Sequence, residues 1–252
     1  MTTAIPSAAG FAGPAVQTIG VDGFLIRFGE ELTEPANRAA LALRAALEAA
    51  DLPGMIETST SLTSTYLRFD VLRTDHATLK AALKIVLAQR DWMAAPLPEG
   101  RRLWRVPAVF GTDVAPQLAE AAALAGLSPQ EAVTQICAAP LRVQAIGFAP
   151  GQPYLGQLPP NWNIPRQTDL TPQVPEGALV VAIRQMVLFS VSTPTGWRHV
   201  GQTALRLFRP ENPDPFVLHP SDEVQFLPVS AEALDSIHRR APNGGAVAQR
   251  LP

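Results

Sequence analysis

The sequence predicts an α+β fold in two parts, a ferredoxin-like α/β sandwich at the N-terminus followed by an antiparallel β-rich half. Three observations carry that reading. Strand and helix patterns run in the order β-α-β-β-α-β up to about residue 110, the split pattern in which two helices cover one face of an antiparallel sheet. Fourteen of the 25 prolines fall between Pro140 and Pro228, a spacing that interrupts helices too often for them to persist. Between those prolines lie apolar runs of four to seven residues bounded by turn residues, which read as the strands of an antiparallel barrel or sandwich. A chain of 252 residues, 47% hydrophobic, is long enough for two cores.

In chain order, residues 1–20 are Ala- and Gly-rich and lack a basic start followed by an apolar block, so they read as a loose arm and not a signal peptide. The ferredoxin-like part is assigned to 21–110. Phe24–Phe28 suits a strand; Thr33-Glu34-Pro35 then opens a helix with Ala36, Ala40, Leu43, Leu47 and Ala50 on one face, closed by Leu52-Pro53-Gly54. Short strands follow near Met55–Thr58 and Tyr66–Val71. Asp75 starts a second helix carrying Leu79, Leu83, Val86 and Leu87, and Leu103–Val109 supplies the last strand.

Residues 111–140 read as a helical pair, Val114–Ala125 and Pro129–Ala138. Gly126 suits the left-handed cap of the first, and Ser128 with Glu131 forms a capping box for the second. A helix-turn-helix DNA reader has this outline, but the second helix offers no Arg or Lys between Pro129 and Ala139. The whole chain is also formally −2, so no nucleic-acid partner is expected. The β domain spans 141–230, with strands at Arg142–Ile146, Leu179–Ile183, Val187–Ser192, Thr203–Phe208 and Glu223–Val229. The tail, 231–252, adds a short helix at Ala231–Arg239 and a poorly ordered last ten residues.

Catalytic signatures are sparse. There is no G-x-x-x-x-G-K-[ST] phosphate loop, no H-E-x-x-H and no G-x-S-x-G, and His76, His199, His219 and His238 are too scattered to suggest a metal site. His199 draws attention because it follows Trp197-Arg198 in a Gly-bounded hairpin. The single cysteine, Cys137, excludes an intrachain disulfide and reads as a small buried hydrophobe. No run reaches the roughly 18 apolar residues of a membrane span, so no membrane partner and a cytoplasmic setting are expected. The unusual stretch is Gly147-Phe148-Ala149-Pro150-Gly151-Gln152-Pro153-Tyr154-Leu155-Gly156, followed by Pro165-Arg166. Its glycines allow close backbone approach and its prolines stiffen the path, so main-chain N–H groups could be preset for an oxyanion or carboxylate; a purely structural loop plugged by Phe148, Tyr154 and Leu155 stands beside that reading. Arg166 sharpens the functional one, since a guanidinium pairs bidentately with a carboxylate or phosphate.

These residues, with Leu158, Val174-Pro175, Gly177, Gln185, Gly196-Trp197, Gly201, Thr203, Leu205-Arg206-Leu207-Phe208 and Asp222, resemble the group formed by the B-subunits of 5-oxoprolinase. That group is also labelled allophanate hydrolase subunit 1, includes a sporulation-kinase inhibitor, and is similar to part of the carboxyltransferase domain of urea carboxylase (subdomains C and D). The resemblance runs from about Phe24 to Val229. It implies a cyclophilin-like barrel for the β domain and pairing with a larger subunit of related barrel fold. It also implies ATP with Mg2+ in the assembled complex, with none held tightly by this subunit alone, for the opening of a small anionic lactam such as 5-oxoproline. On that resemblance the candidate substrate contacts are Gly147, Phe148, Pro150 and Gly151 for backbone donors and their frame, Tyr154, Gln185 and Thr203 for polar orientation, and Arg166 and Arg206 for the anion; no catalytic residue is assigned. The chain departs from the family pattern at Ala178 (usually Ser), Ile183-Arg184 (usually Gly-Gly), Phe189 (usually Tyr), Thr195 (usually Gly) and Gln202 (usually Arg). Those departures keep open a regulatory, kinase-inhibitor-like role and a urea-carboxylase-like carboxyltransferase role.

Overall fold

A computed structural model describes residues 13–241 and 243–251, which divide after Pro98 into two compact units. Residues 1–12 of the expected arm lie outside the described residues. In the first unit, β1 (Ala15–Ile19), β2 (Gly23–Arg27), β3 (Met55–Ser61) and β4 (Ser64–Phe69) form an antiparallel sheet of order β1-β2-β4-β3, accompanied by α1 (Glu34–Ala50) and α2 (His76–Leu87). Both helices start at the capping residues that the sequence marks. Thr33 Oγ1 accepts the Ala36 N–H at 3.3 Å and Asp75 Oδ1 accepts the Thr78 N–H at 2.7 Å, each satisfying a helix-start donor that has no partner within the helix. Ala36, Ala40, Leu43 and Leu47 of α1, with Leu79, Leu83 and Val86 of α2, bury one helical face against the alternate strand residues Phe24, Ile26, Leu67 and Phe69.

The expected closing strand, Leu103–Val109, is not part of this sheet. The free edge of β2 is taken by β1, which lies in the supposed arm and is only a short turn away, with Gly20 at φ +62°. The expected β-α-β-β-α-β connectivity is therefore not formed, since the edge strand beside β2 comes from upstream in the chain. Residues 102–110 are instead β5 (Arg102–Phe110), a largely buried strand of the second unit.

After β5 the second unit runs through α3 (Leu118–Leu124), α4 (Pro129–Cys137), β6 (Leu141–Ile146), β7 (Pro153–Gly156), β8 (Thr171–Val174), β9 (Ala178–Ala182), β10 (Gln185–Leu188), β11 (Thr193–Thr195), β12 (Arg198–Thr203), β13 (Glu223–Pro228), α5 (Ala231–Arg240) and β14 (Val247–Arg250). Strands pair in the order β12-β9-β10-β7-β6-β13-β5, and β5 pairs back onto β12, closing a seven-stranded barrel. Every strand of that ring sends residues into one apolar cluster, among them Val106, Val143, Leu155, Val181, Met186, Val200 and Phe226, so this cluster is the barrel interior.

The barrel is not wholly antiparallel, because β13 runs parallel to β5. The tail is not loose either. β14 pairs with the Arg102–Arg105 half of β5 while β12 pairs with its Ala108–Phe110 half, so the last strand covers an edge that ring closure leaves open. α3 begins at Leu118 and not at Val114, since Pro116 supplies no N–H and disfavours a helical residue before it. The expected strand Thr203–Phe208 is also absent as such. β12 ends at Thr203, whose Oγ1 accepts the Leu205 N–H at 3.4 Å, and beyond it only an isolated bridge joins Phe208 to Phe216.

The two-residue link between β9 and β10 places Ile183 at φ +44° and Arg184 at φ +63°, a left-handed pair that suits the twist of a hairpin but crowds a β-branched side chain. Tertiary hydrogen bonds hold it there: Ile183 N–H to Ile164 O at 2.8 Å, Arg184 N–H to Trp162 O at 2.9 Å and Arg184 Nε to Leu158 O at 3.0 Å. The Ile183 side chain is itself half exposed. Replacing it with Asn, which tolerates this conformation, is expected to stabilise the second unit by about 1 kcal/mol. A urea midpoint that fails to rise would contradict the strain assigned to this turn.

Candidate functional site

The strands that fill the barrel also carry an outer face. On β7, β9 and β10 the residues alternate with the interior set. Tyr154, Ala178, Val180, Ala182 and Val187, continued by Phe189, form a second apolar cluster with Val174 of β8 and Trp197. A cavity of about 130 Å3 opens on this face, walled by Tyr154, Val187, Phe189, Thr195, Gly196 and Trp197 and reached by Phe148, Gln152, Leu170 and Arg166.

Arg166 is the cation among these lining residues. The guanidinium carbon lies 6.0 Å from the centre of the Trp197 ring, and Tyr154 meets the same ring edge-on at 6.5 Å. Among the described residues no carboxylate pairs with Arg166, so its donor fork is available to a ligand. Gln152 is 1% exposed, its Oε1 accepting the Ser190 N–H at 3.4 Å.

The Gly147–Gly151 segment is a closed turn. Gly147 N–H donates to Gln152 O at 3.0 Å and Gln152 N–H donates to Ala149 O at 3.1 Å. Phe148 and Gly151 both stand at φ +72°, and a Cβ on Gly151 would sit 3.0 Å from Leu207 O, which explains the glycine. Phe148 reaches out at 75% exposure. The N–H groups of Phe148, Ala149 and Gly151 have no acceptor among the described residues, and Pro150 has no N–H to satisfy.

The residues singled out from sequence therefore separate. Phe148, Tyr154 and Arg166 meet in one cavity, and Gly147, Pro150 and Gly151 build the turn at its edge. Gln185 lies elsewhere, its Nε2 donating to Gln144 Oε1 at 3.3 Å in a buried amide pair about 7 Å along β10 from Val187. Thr203 and Arg206 line a different cavity of about 270 Å3 with Asp235 and His238. Arg206 is engaged by Glu211 at 2.7 Å, and Thr203 Oγ1 donates to Gly177 O at 3.2 Å, so neither contacts a ligand in the first cavity. Gln152, Thr195, Phe189 and Trp197 join the lining without being expected there as contacts. Alternation from Val187 to Phe189 is a sequence signal for one of them, whereas the approach of residues 195–197 to Arg166 depends on tertiary structure.

His199 is buried beside a third cavity, of about 500 Å3, and desolvation lowers its pKa below the ordinary histidine value. Burial pushes the Cys137 thiol up to about 11, which makes it a poor nucleophile at neutral pH. At pH 8, iodoacetamide should label native Cys137 far more slowly than the unfolded chain, and equal rates would refute its protection. No group of three or more His, Cys, Asp or Glu among the described residues is placed to hold a metal, and no helix among them is long and apolar enough to cross a membrane.

Residues 14–218 match the family described as carboxyltransferase domain, subdomain C and D. The B-subunit of 5-oxoprolinase from Bacillus subtilis (strain 168) is 32% identical over 222 residues, which cover 85% of this chain and 92% of that protein. A crystal structure of the protein TTHA0988 superposes with a TM-score of 0.70 at 32% identity; the match covers 84% of this chain but only 40% of that longer one. The urea amidolyase of K. lactis shares the fold, with a TM-score of 0.72 at 16% identity over 98% of this chain and 17% of its own length.

Proposed function

The chain belongs to the family of carboxyltransferase-domain proteins, subdomains C and D, that includes proteins named as B-subunits of 5-oxoprolinase, and from this premise we propose that it is the smaller subunit of a two-subunit, ATP-dependent hydrolase of small anionic lactams. The observation that carries the reading is Arg166, unpaired over Trp197, sharing a cavity with a rigid turn whose main-chain donors have no partners among the described residues. A carboxylate bound by that fork would be fixed in orientation by two parallel hydrogen bonds. Oxygen charge developing at the activated ring carbonyl would then be met by preset N–H groups that need no reorganisation.

A cavity of about 130 Å3 suits a small lactam acid and is too small for a nucleotide, since sites for larger ligands run to about 300–1,000 Å3. ATP with Mg2+ would therefore be held with the larger subunit, and this chain's part is to bind and orient the carboxylate. Exposed apolar residues beside the cavity, Phe148 at 75% and Leu170 at 62%, are where that subunit would close the site and exclude water. The setting would be the cytoplasm, consistent with a chain that has one cysteine.

Thr195 favours a second reading. It adds a methyl and a hydroxyl to the cavity wall, with Oγ1 accepting the Trp197 N–H at 3.1 Å, as a changed substrate or a regulatory role would allow. Co-expression with a larger barrel subunit, followed by assay of 5-oxoproline-dependent ATP hydrolysis, decides between them. Turnover that needs both chains supports the hydrolase. Stable association without turnover favours the second reading, and no association sinks the first.

A further inference from the structure

The backbone on both sides of Arg166 is pinned. On one side the Arg198 guanidinium, whose side chain is 8% exposed, donates from Nη1 to Pro165 O at 2.6 Å and from Nε to Glu120 Oε1 of α3 at 2.8 Å. On the other, Gln167 N–H donates to Gly196 O at 2.7 Å. The Gln167 side chain is held as well: its Oε1 accepts from Gln117 Nε2 at 2.6 Å, and its Nε2 donates to Trp197 O at 3.0 Å and Thr171 Oγ1 at 3.2 Å. Gln117 in turn accepts the His199 N–H at 2.8 Å. Arg166 thus projects from a peptide locked to α3 and β12, the same strand region that presents the Trp197 ring.

We propose that Arg198 is a positioning residue: it does not line the cavity, but by bridging Glu120 and the Pro165 carbonyl, with Gln167 and Gln117 completing the clamp, it fixes where the Arg166 guanidinium meets an anionic substrate. The consequence for substrate rests on the function proposed above; the clamp itself does not. The geometry calls for arginine, because two of its nitrogens serve two acceptors in fixed directions, whereas a lysine ammonium is a single point charge on a flexible stem. A guanidinium misplaced by an ångström forfeits the bidentate geometry on which orientation depends.

Two measurements on Arg198→Lys test this, the first on this chain alone and the second on the co-purified two-subunit complex. Hydrogen exchange at the Gln167 amide, whose bond to Gly196 needs the pinned backbone, should be about tenfold faster than in the parent while the melting temperature barely moves. Unchanged exchange overturns the clamp whatever the substrate proves to be, and a large fall in melting temperature with exchange raised throughout the barrel makes Arg198 merely structural. The second measurement is a double-mutant cycle on kcat/KM for 5-oxoproline. Arg198→Lys alone should lose about tenfold, and adding it to Arg166→Ala should cost nothing more, because its effect passes through Arg166. Multiplying losses would mean that Arg198 acts independently of Arg166. An Arg166→Ala variant with full turnover would instead sink the functional reading, leaving the exchange result to judge the clamp.

Discussion

Arg166→Ala is expected to lower kcat/KM of the two-subunit complex for its lactam acid by about a hundredfold while leaving the melting temperature and the association of the subunits intact. The size follows from what is lost. A charge-assisted pair of hydrogen bonds in a partly enclosed site contributes up to about 3 kcal/mol, and each 1.4 kcal/mol is a factor of about ten. Stability should not suffer, because the guanidinium forms no ion pair among the described residues and its packing contact is the Trp197 ring at 6.0 Å. Arg166→Lys should recover only part of the loss, since it restores the charge but not the planar fork. Steady-state kinetics on co-purified variants, with a melt of each, is the measurement. Undiminished turnover in the alanine variant would show that the cavity is not where the substrate acid binds.

Local rules made much of the fold legible, and most failures came where a local pattern had to choose among distant partners. Thr33, Asp75 and Ser128 mark their helix starts through bonds to residues three positions on, so the caps could be read directly. The strand around Leu103–Val109 was also recognisable as a strand. Its sheet was not, because alternation says that a strand has two faces and not which edge it will meet. The same limit hid β14, whose sequence is exposed along its length and which exists only because β5 leaves half an edge unpaired.

The site shows the same division. Gly147, Gly151 and the prolines of residues 147–153 announce a rigid turn, and Arg166 is conspicuous beside it. That Arg206 would be neutralised by Glu211, or Gln185 absorbed into an amide pair with Gln144, follows from contacts that spacing alone does not reveal. Arg198, the residue assigned to hold Arg166 in place, lies thirty-two positions away and reads in sequence as one arginine among many.

Gly177→Ala is expected to destabilise the second unit by about 3–4 kcal/mol, a large effect for one added methyl. Two penalties add. Gly177 stands at φ +79°, where an L-residue loses roughly 1–2 kcal/mol, and an added Cβ would come within 2.4 Å of Thr203 O and 2.9 Å of Gln202 Nε2. The obstacle at Thr203 is backbone, so relief requires β9 and β12 to separate. That motion would strain the Thr203 N–H bond to Gly177 O at 2.9 Å, which stitches the start of β9 to the end of β12, while the Gly177 N–H bond to Phe189 O at 2.8 Å holds Gly177 to the end of β10 on its other side. Gly126→Ala separates the two penalties, because Gly126 has φ +70° but nothing within 4 Å of an added Cβ. It should therefore show the conformational cost alone, about 1 kcal/mol. Urea unfolding followed by a probe in the barrel compares the two variants directly. If they lose stability equally, the close approach of Gly177 to Thr203 is not what keeps that position glycine, and the closure of the barrel between β9 and β12 is looser than the packing of these strands implies.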